Sequence, residues 1–155
     1  MLKKLNVAVV GATGAVGTKM MEKLVERKFP IASIKFLASA RSAGNKIEFN
    51  GDTYTIEEAK PESFEGIDIA LFSAGGAVSE ALAPEAAKRG AIVIDNTSHF
   101  RMDPEVPLVV PEVNRHALKT IPKGIIANPN CSTIQMVAAL QPIREKFGLT
   151  KIVVS

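Results

Sequence analysis

The chain has no tryptophan, a single tyrosine and only 5% aromatic residues, so it offers few flat rings on which nucleic-acid bases could stack. It has one cysteine in 155 residues. One thiol cannot close an internal disulfide, which makes a reducing, cytoplasmic setting the expectation. The formal net charge is only +3, too slight to mark a nucleic-acid binder, though it suits an anionic small molecule. No apolar stretch approaches the ~20 residues needed to span a bilayer. The opening "MLKKLNVAVVGATGAVG" places lysines ahead of an apolar run, as a leader peptide does. That run is short and broken by glycine, and it reads instead as a strand entering a turn. Neither nucleic acid nor membrane is an expected partner, and no metal ligands are assigned.

What the chain does contain is ordinary globular material, 46% apolar and 23% charged, long enough for one domain with its own core. Short apolar runs recur at 5–10, 33–38, 67–72, 91–94, 124–127 and 151–154. They are apolar on both alternating positions, as parallel strands covered on both faces must be. Helical spacing fills several gaps: Gly14 to Lys28, Ala77 to Arg89, and Ser132 to Phe147, the last with a kink expected at Pro142. In "NKIEFNGDTYTI" (45–56), two alternating runs flank Asn50-Gly51, a strong hairpin signal. Residues 97–123 read as a long functional loop with a short helix near Asn114–Lys119. The pattern predicts a doubly wound, mostly parallel, Rossmann-like α/β sheet with a small β-hairpin insertion.

"VAVVGATGAVG" sets Gly11, Gly14 and Gly17 where the first strand turns into a helix. Glycines there permit a tight turn and close approach of backbone to phosphate. The helix start offers unpaired N–H groups and a positive dipole end to a pyrophosphate. NAD-binding chains of this kind carry an acid about 20 residues on, at the end of the second strand, to hold the ribose 2′-OH. Here that region reads "FLASARSAG", with Ser39, Arg41 and Ser42 and no acid. An arginine with hydroxyls suits a 2′-phosphate, so NADP is the expected cofactor. "SAGGAVS" (73–79) opens another helix at the carboxyl end of a strand, making Ser73 and Gly75 candidates for a second cofactor contact; a simple turn is the alternative.

The lone cysteine stands in "ANPNCSTIQM". Pro129 and Asn130 stop the strand, and Cys131 falls at the helix start, where the dipole and unpaired N–H groups favour a thiolate. Lone cysteines are often small buried hydrophobes. The polar neighbours Asn128, Asn130, Ser132 and Thr133 argue for a nucleophile instead, with the N–H groups and Asn130 holding an oxyanion. A thiolate beside a nicotinamide suits interconversion of an acyl group and an aldehyde through a thioester.

Taken together, "GATGAVG", "SARSAG", "FSAGG", "IDNTSHFRMD", "VVPEVN" and "ANPNCSTIQM" closely resemble the bacterial-type aspartate-semialdehyde dehydrogenases, over the whole chain. The resemblance implies that Cys131 is the acyl-thioester nucleophile. It implies that Thr13, Gly14, Ala15, Val16, Arg41 and Ser42 contact NADP, and that Arg101 binds phosphate or the acyl-phosphate group of the substrate. It further implies formation of L-aspartate 4-semialdehyde from 4-aspartyl phosphate, for lysine, threonine and methionine biosynthesis, in a homodimer or homotetramer. Members of the family carry a second domain that supplies a histidine base, a substrate arginine and most of the dimer interface. On this reading residues 1–155 form the NADP-binding domain with the catalytic cysteine, lack that C-terminal domain, and bind NADP without turnover. His99 and His116 are not obvious replacements for the base. N-acetyl-γ-glutamyl-phosphate reductase shares the logic, but its cysteine follows Pro-Gly rather than Pro-Asn. A non-catalytic nucleotide-binding fragment is the reading outside enzymes.

Overall fold

The computed structural model describes residues 3–154. In chain order the elements are β1 (Leu5–Val10), α1 (Ala15–Glu26), β2 (Ile31–Ala38), β3 (Lys46–Phe49), β4 (Asp52–Thr55), β5 (Glu57–Glu58), β6 (Ile69–Phe72), α2 (Gly76–Lys88), β7 (Ile92–Asp95), α3 (Pro111–Asn114), β8 (Ile125–Ala127) and α4 (Cys131–Phe147). Single 3-10 segments occupy Pro61–Phe64 and Arg115–Lys119. Six strands form one sheet in the order β5-β2-β1-β6-β7-β8, and every pairing is parallel. The chain builds outward from β1 to β5 on one side, then returns to the centre and builds from β6 to β8 on the other. The reversal leaves a crevice at the carboxyl ends of β1 and β6, where α/β sheets bind ligands.

Why the strands lack polar alternation is visible in β1. Val7, Ala8, Val9 and Val10 are all fully buried. Ala8 and Val10 join a core with Phe64, Phe72, Ala83, Ala86, Val93 and Ile125, under α2. Val7 and Val9 face the opposite way, into a core with Met21, Phe36 and Phe49. The hairpin β3–β4 is a separate two-stranded antiparallel sheet, as its sequence predicts. Asn50 (φ 54°) and Gly51 (φ 92°) both take the left-handed conformation that a two-residue turn of this hand requires. The hairpin is anchored by aromatics: the Phe36 ring lies 5.5 Å from Phe49 and 5.2 Å from Tyr54.

The apolar run at 151–154 is not a strand. After α4 the chain turns at Gly148 (φ 75°), and 149–154 join no ladder; Val153 and Val154 are 81% and 72% exposed. The β8 edge is instead flanked by Pro107–Val109, with the Ala127 N–H donating to the Pro107 carbonyl (2.9 Å) and Val109 N–H to the Ala127 carbonyl (3.0 Å). Composition alone cannot make a strand, because a strand needs a partner edge. α4 runs unbroken from Cys131 to Phe147 across Pro142, packs against α3, and has no fully buried residue.

Candidate functional site

The turn from β1 to α1 is built by close approach. Gly11 has φ +87°, and a Cβ there would lie 2.9 Å from the Ala74 nitrogen and from the Ser73 carbonyl carbon. A Cβ on Gly17 would lie 2.2 Å from the Gly11 carbonyl oxygen, so glycine lets α1 pack onto its own entry turn. No side chain caps α1 at Gly14 or α2 at Gly75, so both helix starts keep backbone donors for an outside acceptor. Between them lies a groove of about 620 Å³ at the crevice of the sheet. Gly11, Thr13, Gly14, Ser39 and Ser73 line it, together with apolar Ala77, Val78 and Leu82 of α2. An anionic dinucleotide fits this set: uncapped N–H groups for phosphate, close backbone approach at glycine, and apolar wall for a ring.

The other expected cofactor residues lie outside that lining. Ala15 and Val16 are exposed on the first turn of α1, and Gly75 (φ 97°) is the entry to α2. Arg41 is exposed and Ser42 half-buried in the turn after β2, where Ser42 and Ala43 N–H groups donate to the Ser39 carbonyl (2.9 and 3.1 Å). Sequence reasoning missed Glu58, which does line the groove. It enters from β5, whose register sets Glu58 opposite Ala38, immediately before Ser39. Its carboxylate bonds Lys60 at 2.7 Å and holds that ammonium above its ordinary range. The signal in the sequence was the "IEEAK" stretch, but only the long-range pairing of β5 with β2 gives it meaning.

Cys131 is the first residue of α4 and is exposed. Asn130 is the N-cap, its side-chain oxygen accepting from the Ser132 N–H at 3.0 Å. Any oxyanion contact from Asn130 therefore falls to its side-chain NH2. The loop before it is tied to Arg101. The Arg101 Nε donates to the Asn128 carbonyl (3.0 Å) and Nη2 to the Asn96 carbonyl (3.2 Å), while Asn128 Nδ2 donates to Asn96 Oδ1 (2.6 Å). Arg101 and the cysteine loop, 27 residues apart at Asn128, thus form one unit. Beneath them Asp95 is fully buried, accepting from Ser79 Oγ (2.8 Å), Thr97 N–H (2.9 Å) and Thr97 Oγ1 (2.9 Å). The Asp95 carbonyl also accepts from the Asn128 N–H at 2.8 Å. This knot joins α2, the loop carrying Arg101 and the loop carrying Cys131; sequence reasoning did not single it out.

His99 is exposed, its ring meets Phe100 edge-on at 4.6 Å, and its backbone N–H donates to Thr97 Oγ1 at 3.3 Å. His116 is exposed in the Arg115–Lys119 segment. Further along the loop, Lys123 and the Glu105 N–H hold the Asp103 carboxyl below its ordinary range. No helix among the described residues is long and apolar enough to cross a membrane.

A family model described as the semialdehyde dehydrogenase NAD-binding domain matches residues 6–121. The chain belongs to this family. An aspartate-semialdehyde dehydrogenase of Bacillus subtilis is 66% identical over 151 residues, covering 97% of this chain and 43% of that protein. The crystal structure of aspartate semialdehyde dehydrogenase II of Vibrio cholerae complexed with ASA is 52% identical, with a TM-score of 0.90, covering 94% of this chain and 48% of that one. The Candida albicans aspartate semialdehyde dehydrogenase with NADP is 28% identical, with a TM-score of 0.81, covering 95% and 48%. The chain thus spans less than half the length of these semialdehyde dehydrogenases. Family membership accounts for the glycine turn and the groove and makes a nicotinamide dinucleotide its ligand class; the cysteine lies beyond the matched residues 6–121.

Proposed function

We propose that this chain is the dinucleotide-binding, cysteine-bearing part of an NADP-dependent aspartate-semialdehyde dehydrogenase. The observation that carries the reading is Cys131: an exposed thiol on the first residue of a helix, in a loop tied to Arg101. The relatives' names, and the ASA and NADP of two similar structures, support the substrate and the cofactor. NADP is favoured over NAD by Arg41 with Ser39 and Ser42 in the turn after β2.

The cofactor is held by the turn residues Gly11, Thr13 and Gly14, the N–H groups of Ala15 and Val16, Ser39, Arg41, Ser42, Ser73 and Gly75. When bound, NADPH supplies the hydride for reduction. The residues of this chain perform the acyl transfer. Cys131 Sγ attacks the acyl carbon of 4-aspartyl phosphate, the C–S bond forms, and the C–O bond to phosphate breaks. Phosphate departs with that electron pair, and the donors of Arg101 not used on the two carbonyls receive it. The tetrahedral oxyanion is met by N–H groups at the start of α4 and by Asn130 Nδ2. Cys131 holds the acyl group as a thioester until the C–S pair returns to sulfur.

The relatives are about twice as long, and the longer protein is the proposed catalyst: cytoplasmic, a homodimer or homotetramer, with no nucleic-acid or membrane partner. The 155-residue chain alone binds NADP without turnover. Two measurements test this. NADPH binds the chain more tightly than NADH, and Arg41→Ala removes most of the difference; equal affinities in the unaltered chain refute the cofactor reading. NADP⁺ reduction with aspartate semialdehyde and phosphate is absent; turnover that Cys131→Ala abolishes means the chain carries its own base, His99 first among candidates.

A further inference from the structure

In dinucleotide folds the adenosine ribose lies at the carboxyl end of the second strand, where a carboxylate accepts its 2′-OH. β2 of this chain ends at Ala38 with no acid following it. The tertiary structure delivers one by another route. β5 lies beside β2 with Glu58 in register with Ala38, and Glu58 lines the same groove as Ser39. An unpaired carboxylate at that place favours a ribose hydroxyl and repels a 2′-phosphate. Glu58 is not unpaired, because Lys60 Nζ lies 2.7 Å from its Oε2. The pair is partly exposed, with side chains 38% and 58% accessible, so both groups can reorganise around a ligand.

We propose that the Glu58–Lys60 ion pair is a cofactor-specificity device: Glu58 receives a ribose hydroxyl of the adenosine half, and Lys60, by pairing with it, sets how strongly a 2′-phosphate is tolerated. Arg41 attracts the phosphate from the turn, and Lys60 removes the opposition of Glu58. The inference rests on the reading of the groove as a dinucleotide site, and is independent of what the cysteine acts on.

The test is equilibrium binding of NADPH and of NADH, followed by nicotinamide fluorescence, to the unaltered chain, to Glu58→Gln, to Lys60→Ala and to the double variant. The readout is the ratio of the two affinities, since a merely structural change would move both together. Glu58→Gln keeps the size of the side chain and raises the NADPH-to-NADH ratio by roughly two- to fivefold, the scale of a partly exposed charge pair. Lys60→Ala lowers the ratio by a similar factor. In the Glu58→Gln background Lys60→Ala has no further effect, because Lys60 acts through Glu58. A ratio unchanged in both single variants, with binding intact, overturns the proposal while leaving the dinucleotide site standing. So does a Lys60→Ala effect that persists without the Glu58 charge, which would make Lys60 a direct phosphate ligand. If the unaltered chain binds neither cofactor, the dinucleotide reading falls and this proposal with it.

Discussion

Replacing Gly17 by alanine should damage the fold, although alanine is the better helix former. Gly17 lies inside α1, where the exchange alone would gain about 1 kcal/mol. The added Cβ, however, would sit 2.2 Å from the Gly11 oxygen and 2.9 Å from the Ala12 Cα, whereas ordinary contact begins near 3.4 Å. One side must retreat by more than about 1 Å. The turn cannot, because Gly11 donates to the Leu37 carbonyl at 2.8 Å and already abuts the β6 exit. Overpacking of a fixed wall costs up to about 3 kcal/mol, leaving a net loss of about 2 kcal/mol. For a chain of this size that is a fall in Tm of about 4–8 °C. Gly14→Ala is the comparison. Its φ is an ordinary −84° and its Cβ would lie 3.4 Å from the Gly11 oxygen. It should melt within a few degrees of the unaltered chain yet bind NADPH more weakly, since the methyl stands at the helix start proposed above to receive phosphate. Thermal melts by circular dichroism and NADPH fluorescence titration read both. A Gly17→Ala chain that melts with the unaltered one would refute the steric argument.

Cys131 should alkylate with iodoacetamide at neutral pH faster than cysteine in a short peptide, because it is exposed at a helix start; a slower rate, followed by mass spectrometry, would mark it as inert. Asp95→Ala should cost about 2–3 kcal/mol in urea unfolding, since it strands the Ser79 and Thr97 donors, and should loosen the loop that Arg101 braces; Ser79→Ala should cost about 1 kcal/mol. Asp103 has its folded-state value depressed by Lys123, so its contribution is present above the unfolded value near 3.8 and is lost as pH falls through the lower folded one. Lys123 is raised by the same pair, so its contribution is present below 10.5 and lost as pH rises. Lys123→Ala should therefore flatten the acid limb of a Tm-against-pH curve, and an unchanged limb would mean that the pair is inert.

The class of fold was legible because burial on both faces leaves a mark on each strand separately. The continuous apolar run of β1, the Asn50-Gly51 turn and the glycines before α1 are local signals, set by φ and by side-chain period, and they read correctly one element at a time. Cys131 at a helix start was legible for the same reason: Pro129, Asn130 and the apolar spacing after it fix that boundary locally. Residues 151–154 were misread because their composition is strand-like but a strand also needs a neighbouring edge, and 149–154 pair with none. Glu58 and Asp95 were invisible as site residues for a related reason. Glu58 matters because β5 adds to β2 at Ala38, and Asp95 because the ends of β7 and β8 lie side by side so that its carbonyl meets Asn128. The sequence determined where β1, the Asn50-Gly51 turn and the cysteine's helix begin, since backbone sterics and solvent exclusion act residue by residue. Which acid reaches the groove and which loop Arg101 braces were decided by the tertiary structure, because hydrogen bonds and ion pairs form between whatever side chains the sheet order brings within about 3 Å.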